Sequence, residues 1–384
     1  MALGMSGAQA LDVAALTRTA GPERPWLDID TVQERFRRHV NSAATRELWK
    51  YTPVAGFVEA MPASGGLATL DISGHRQPGV RALPFADLSQ RDVDQVRTLL
   101  SASLEPEHHL LADLCLLRAP GGWLIEVQGT LREPLAIRYA SGGNAPLVVL
   151  LKADASAVLI ESAETEEPLA QLCMVNMQRG ARLSHHRAAL EGAAQHWALQ
   201  QVRLAENATY SLNQTLLGGR RRRSETHIIL DGRGAQAALK GAYVVESAQH
   251  LDQQLTVEHR AADTHSRQAF HGIGCGKGRS IFNGRIHIHP HAPRSDAGLS
   301  NRNLAMHPEA EMNCKPELEI YTDDVRCAHG ATVGQLSADG LFYLQSRGIP
   351  YSEAKKLLSH GFLRECLEGP LADAAAARFM QALG

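Results

Sequence analysis

The sequence predicts a mainly β protein with helical regions at both ends, and three observations carry that expectation. First, short β-type runs bounded by Gly, Asn, Asp and Glu follow one another from about residue 114. They include Leu124–Val127, Leu147–Leu151, Val158–Ile160, Tyr210–Leu217, His227–Leu230, Ala242–Val245, Leu251–Val257 and Ile281–Ile288. Second, the runs over the latter half of this stretch begin near Tyr210, Arg223, Ala237, Leu251, Ser266 and Ser280, 13 to 15 residues apart. Such an interval holds one strand and one polar turn but no crossover helix, which argues against a doubly wound α/β fold. Third, aromatic residues are only 5% and small residues are frequent, a composition suited to close stacking of strands. A sandwich, a barrel and a parallel β-helix all satisfy these observations.

The flanks read differently. Residues 1 to about 25 look like a flexible, Ala- and Gly-containing lead. Asp30 is expected to cap a helix, with Gln33 in the capping-box position and Val32, Phe36 and Val40 on one side. Trp49 and Tyr51 read as packing anchors, and residues 56 to 84 as irregular chain with short strands. Ser89 to Ala102 predicts an amphipathic helix with Val93, Val96, Leu99 and Leu100 on its apolar side. After Gln335 the pattern is helical to the end. Ser337 caps a helix that stops near Gly348 and Pro350, and Ser352 caps a second bearing Ala354, Leu357, Leu358, Phe362 and Cys366. Pro370 opens a third helix with Leu371, Phe379, Met380 and Leu383. The expected division is a helical and irregular region over 1–113, a β core over 114–335 and a helical region over 336–384.

Bulk properties narrow the function. Lys plus Arg number 39 against 41 Asp plus Glu, a net charge of −2, so nothing overall favours nucleic acid or an anionic membrane. No run approaches the roughly 20 apolar residues of a membrane span. The N-terminus lacks the basic region of a secretory signal. Six cysteines without a C-x-x-C pair, in a chain of 384 residues, read as reduced, cytoplasmic thiols.

Few residues offer chemistry. Cys327 and His329 stand two apart, and an extended Val325–His329 puts both on one face, where they can share a metal or a sulfur species. Leu318 and Ile320 fall on the opposite alternation, so Asp323-Asp324 must reset the register or one segment is not a strand. His287, His289 and His291 alternate along Arg285–His291 and can hold a divalent metal, although three side chains in a row converge poorly and a solvated strand face fits as well. Gly274–Gly278 lacks the leading Gly and the Ser or Thr of a phosphate loop and reads as a tight turn. Arg220–Arg223 reads as a solvated basic turn or a patch for an acidic partner, while His185-His186 and His108-His109 have no ligand-like company. The clustered thiolates of a self-sufficient iron–sulfur protein are absent.

The segments Lys315–Tyr321, Asp323–Val325, Cys327, His329–Leu336, Phe342–Leu344 and Ser346–Ile349 closely resemble the SufB/SufD family of iron–sulfur cluster assembly proteins, its SufD branch in particular. Trp49–Thr52, Phe282–Gly284 and His289-Pro290 add to the likeness. The resemblance implies a right-handed parallel β-helix between the helical regions, and a scaffold rather than an enzyme. It implies pairing with a SufB-like subunit, or a homodimer in isolation. It also implies docking of a SufC-like ATPase on the C-terminal helices, where Phe342, Tyr343, Arg347, Leu357 and Leu358 lie. His329, with Cys327 beside it, matches the family's interface histidine, which implies transient iron or a nascent cluster and no tightly bound cofactor. The competing reading is a β-helix or cupin-like metalloenzyme using His287, His289 and His291, which predicts stoichiometric metal.

Overall fold

A computed structural model describes residues 23–40, 42, 45, 49–52, 54–62, 66–102, 109–191 and 195–383. The expected N-terminal lead lies almost wholly outside them, as does His108. From Trp123 to Gly334 the chain winds eight turns of a parallel β-solenoid, each turn contributing one strand to either of two sheets. The first turns are β3 (Trp123–Val127) with β4 (Leu135–Tyr139), β5 (Gly143–Leu151) with β6 (Ser156–Ala163), and β7 (Leu169–Met177) with β8 (Arg182–Ala189). Next come β9 (Gln195–Leu204) with β10 (Thr209–Leu217), β11 (Arg221–Leu230) with β12 (Gln236–Val245), and β13 (His250–His259) with β14 (His265–Gly274). The last two are β15 (Arg279–Ile288) with β16 (Ser295–Ala305) and β17 (Glu311–Ile320) with β18 (Val325–Gly334). The six strands from β10 to β15 each begin within two residues of the start expected from spacing.

Stacking in register explains why so regular a pattern is needed. Each strand pairs with the one two places on, so each lumen-facing position stacks on its counterparts above and below. Leu147, Val149 and Leu151 of β5 and Leu159 of β6 are lumen-facing and buried. The corners after β5, β7, β9, β11, β13 and β15 are each turned by one left-handed residue: Asp154, Gly180, Asn207, Gly234, Asp263 and Arg294. Asp, Asn and Gly tolerate that conformation, and at four of these corners a buried alanine follows, at 155, 181, 208 and 235.

Two helical regions cover opposite outer faces. Helix α1 (Ile29–His39) is capped by Asp28, whose carboxylate accepts from the Thr31 amide at 3.1 Å. Asp30, expected as the cap, instead lies in the first turn, where a negative charge suits the helix dipole. A short helix, α2 (Val54–Ala60), occupies part of the stretch expected to be irregular, ahead of β1 (Leu70–Ser73) and β2 (Val80–Pro84). Helix α3 (Gln90–Ala102) follows as expected. Helix α4 (Leu110–Arg118) stands where β character was expected from residue 114, so the strands of the solenoid begin at Trp123. Its all-round apolar surface suits its position between the other helices and the outer face of β5 and β7. A buried ion pair, Arg35 to Asp113, ties α1 to α4.

At the other end, α5 (Ala338–Ser346) is capped by Ser337, as expected, whose hydroxyl accepts from the Gly340 amide at 3.1 Å. Pro350, not Ser352, precedes α6 (Tyr351–Arg364), because the helix begins two residues earlier than a Ser352 cap implies. Helix α6 and α7 (Ala372–Ala382) lay Leu363, Ala375 and Phe379 on Leu217, Val244 and Ile273 of the second sheet.

Candidate functional site at the last rung

Strand β18 ends the second sheet and pairs with β16, setting Cys327 opposite Ala297 and His329 opposite Leu299. Ala297 and Leu299 belong to the lumen core, so the register places Cys327 and His329 on the lumen-facing side of the last rung. Strand period two thus does bring the two residues to one face. The opposite alternation of Leu318 has a simple cause. β17 and β18 lie in different sheets, and the chain turns a corner over 321–324, so the register is reset without either segment ceasing to be a strand.

No further rung stacks on this one among the described residues, and exposure grades accordingly. Val325 and Cys327 are half-buried against the core, whereas His329 is exposed. Burial pushes the Cys327 thiol up, and Asp296 adds to the push, so metal binding there must displace a proton.

A further thiol, Cys314 of β17, faces the lumen on the same rung. Asn303 Nδ2 lies 3.0 Å from its sulfur, which in turn donates to Asn301 Oδ1 at 3.0 Å, and burial raises the thiol to about 11. Sequence reasoning counted it only among scattered cysteines. Its place on the even alternation with Met312 and Leu318 was the available signal.

The three histidines of Arg285–His291 do not line one strand. β15 stops at Ile288, and His289 and His291 lie in the corner that follows, over 289–294. His287 and His289 stack face to face at 4.1 Å; His289 Nε2 lies 2.9 Å from Glu258, and His287 sits 3.8 Å from Glu319. Among the described residues, no three His, Cys, Asp or Glu side chains converge as a metal site.

Other expectations fare unevenly. Gly276, with φ +53°, does form a tight turn between β14 and β15. The arginine run is a solvated turn only in its first half: Arg220 and Arg221 are exposed, whereas Arg222 and Arg223 are 1% and 2% exposed. Arg223 faces outward, pairs with Glu225 and Asp252 at 2.6 Å, and stacks on the Trp49 ring at 3.7 Å. Trp49 is therefore a buried anchor, while Tyr51 is 46% exposed beside a cleft of about 340 Å³. His185, given no role from sequence, is buried in the lumen with Nε2 2.8 Å from Glu161, which Arg187 and Tyr139 also bond.

On the C-terminal helices, α5 buries no residue. Phe342 and Tyr343 are 74% and 57% exposed, Arg347 stands over the Tyr343 ring, and Leu357 of α6 is exposed. Leu358 is half-buried, close to Gly340 of α5. Among the described residues no helix is long and apolar enough to cross a membrane.

Residues 139–362 match the family described as SUF system FeS cluster assembly, SufBD core domain. The chain is 36% identical over 195 residues to the iron–sulfur cluster assembly protein SufD of Escherichia coli, covering 50% of this chain and 46% of that one. It is 27% identical over 277 residues to the chloroplastic protein ABCI7 of Arabidopsis thaliana, covering 67% and 57%. Against SufD of Bacillus subtilis the figures are 32% over 167 residues, 44% and 35%. The chain thus spans about half the length of the curated relatives it matches.

Proposed function

The chain belongs to the SufBD family of iron–sulfur cluster assembly proteins, and from that premise we propose that it is a cytoplasmic, non-catalytic scaffold subunit of a SufBCD-type complex. The observation that supports this most is the last rung, where an exposed imidazole and a half-buried thiol stand on a strand whose outer edge is unpaired among the described residues. A free edge pairs readily with another chain's strand, and a SufB-like subunit is the proposed occupant. Two donors on one strand leave an iron or a nascent cluster short of ligands. The remaining ligands therefore come from the partner, and His329 and Cys327 contribute this chain's share. The aromatic surface of α5 with Leu357 is the proposed seat of a SufC-like ATPase.

His329→Ala tests the ligand role. Expected is a loss of cluster assembly in cells by at least tenfold, with the subunit complex still co-purifying. Intact assembly in that variant overturns the role of His329. Failure of the native chain to co-purify with SufB-like and SufC-like subunits overturns the scaffold reading itself.

A further inference from the structure

One column of the lumen is polar where it approaches the last rung. Tyr243 of β12, Gly272 of β14 and Asn303 of β16 stand opposite one another in successive turns, and Val333 of β18 is next in line. Gly272 is what lets the first and third of these meet. A Cβ there would collide with both the Tyr243 ring and Asn303 Oδ1. The tyrosine therefore leans across a whole turn, and its hydroxyl donates to Asn303 Oδ1 at 2.6 Å. Tyr243 and Asn303 are 1% and 2% exposed.

Asn303 passes the connection on to the end of the solenoid. Its NH₂ group serves three acceptors: Asn301 Oδ1 of its own strand at 2.7 Å, the Cys314 sulfur of β17 at 3.0 Å and the Thr332 carbonyl of β18 at 3.3 Å. Asn301 braces the arrangement, its amide donating to the Tyr243 hydroxyl and the Phe270 carbonyl, each at 3.3 Å. Strand pairing does not supply the same restraint. The ladders hold β17 to β15 and β18 to β16, each within its own sheet. The corner over 321–324 joins the two strands at one end, and Asn303 reaches both of them toward the other.

We propose that Asn303 is a positioning residue for the last rung: it ties β17 and β18 to each other and to the fifth turn, and so fixes where His329 and Cys327 stand. The role rests on the reading of those two residues as ligands. Donors that must meet a partner's ligands around one iron need a fixed spacing, and an end rung has a neighbour on one side only to provide it. A side-chain amide suits the task because it accepts from Tyr243 and donates to both strands; an ionised carboxylate of the same size only accepts.

Hydrogen exchange on the full chain tests the tether by itself. In Asn303→Ala the amides of 325–334 are expected to exchange about tenfold faster, because buried acceptors lose their donor, while those of β5 keep their native rate. Tyr243→Phe removes one hydroxyl at constant shape and is expected to shift the same amides by a smaller factor, which keeps the test open if Asn303→Ala does not fold. Native exchange over 325–334 in either folded variant overturns the tether. Cluster assembly in cells, measured per subunit complex recovered, tests the positioning. Asn303→Ala is expected to lower it several-fold, whereas Ile137→Ala, a comparable lesion at the first rung, is expected to leave it near native. Native assembly in Asn303→Ala, or an equal loss in both variants, overturns the positioning role. Full assembly in His329→Ala with faster exchange in Asn303→Ala overturns the ligand reading, and the positioning role with it, while the tether itself stands.

Discussion

At the first rung, β2 pairs antiparallel with β3 and β1 antiparallel with β4, and the N-terminal helices pack over β3, β5, β7 and β9. At the last rung, β17 and β18 each end their sheet with a neighbour on one side. The lumen-facing side chains record the difference. Ile137 and Tyr139 of β4 are 1% and 0% exposed, while Val325 and Cys327, two rows of the same architecture, are half-open. A solenoid needs a cap only where its end meets water, because each rung buries its neighbour's inner face. An end left without one keeps both its strand edge and its inner side chains available. Cys327 and His329 therefore owe their accessibility to their rung, not to their chemistry.

That contrast can be broken from its covered side. Asp113→Ala leaves Arg35 buried without its partner and is expected to destabilise the protein by about 3–5 kcal/mol in denaturant unfolding. Ile137→Ala empties a closed site in the first rung and is expected to cost about 2–5 kcal/mol, whereas Val325→Ala on the open rung should cost under about 1.5 kcal/mol. Equal losses from these two substitutions would mean that the ends are packed alike.

Acid sharpens the contrast further. Burial lowers His259 to about 4, its ring bonded to Thr264 and Ser266 at 2.8 Å. The unfolded chain takes up this proton near pH 6.5 and the folded one only near 4, so stability falls as pH drops through that window. In His259→Gln, stability measured between pH 6.5 and 4 is expected to fall less steeply. Glu161 adds a lower step: burial alone would raise its carboxyl, but Arg187 and His185 hold it near 2, so its contribution is lost below about pH 4.5. The smallest effect is expected at the open rung, where His329→Ala should change unfolding stability by under about 0.5 kcal/mol. A larger loss would make that residue a packing element.

Much of this was legible locally. Strand starts at 209, 221, 236, 250, 265 and 279 follow the spacing of polar turns, and Ser337 caps its helix as its residue type suggests. The common face of Cys327 and His329 follows from period two. Misreadings came where neighbours in sequence part company in space. Arg222 and Arg223 look like one basic patch, yet adjacent strand residues point to opposite faces, and here both faces are covered. His287, His289 and His291 look like one row, yet the corner begins between the first and second. The corner residues at 154, 180, 207, 234, 263 and 294 carried the solenoid's own repeat, too thinly spread to choose it over a barrel.

The amino-acid order by itself determined where strands begin, where helices are capped and which side chains alternate, because those depend on contacts within a few residues. It also carried the likeness to the SufBD family. Which rung is covered, which arginine faces the lumen and which thiol stays half-open were decided only when the rungs stacked. Burial depends on the coil above and the coil below, and these neighbours lie about 30 residues away along the chain.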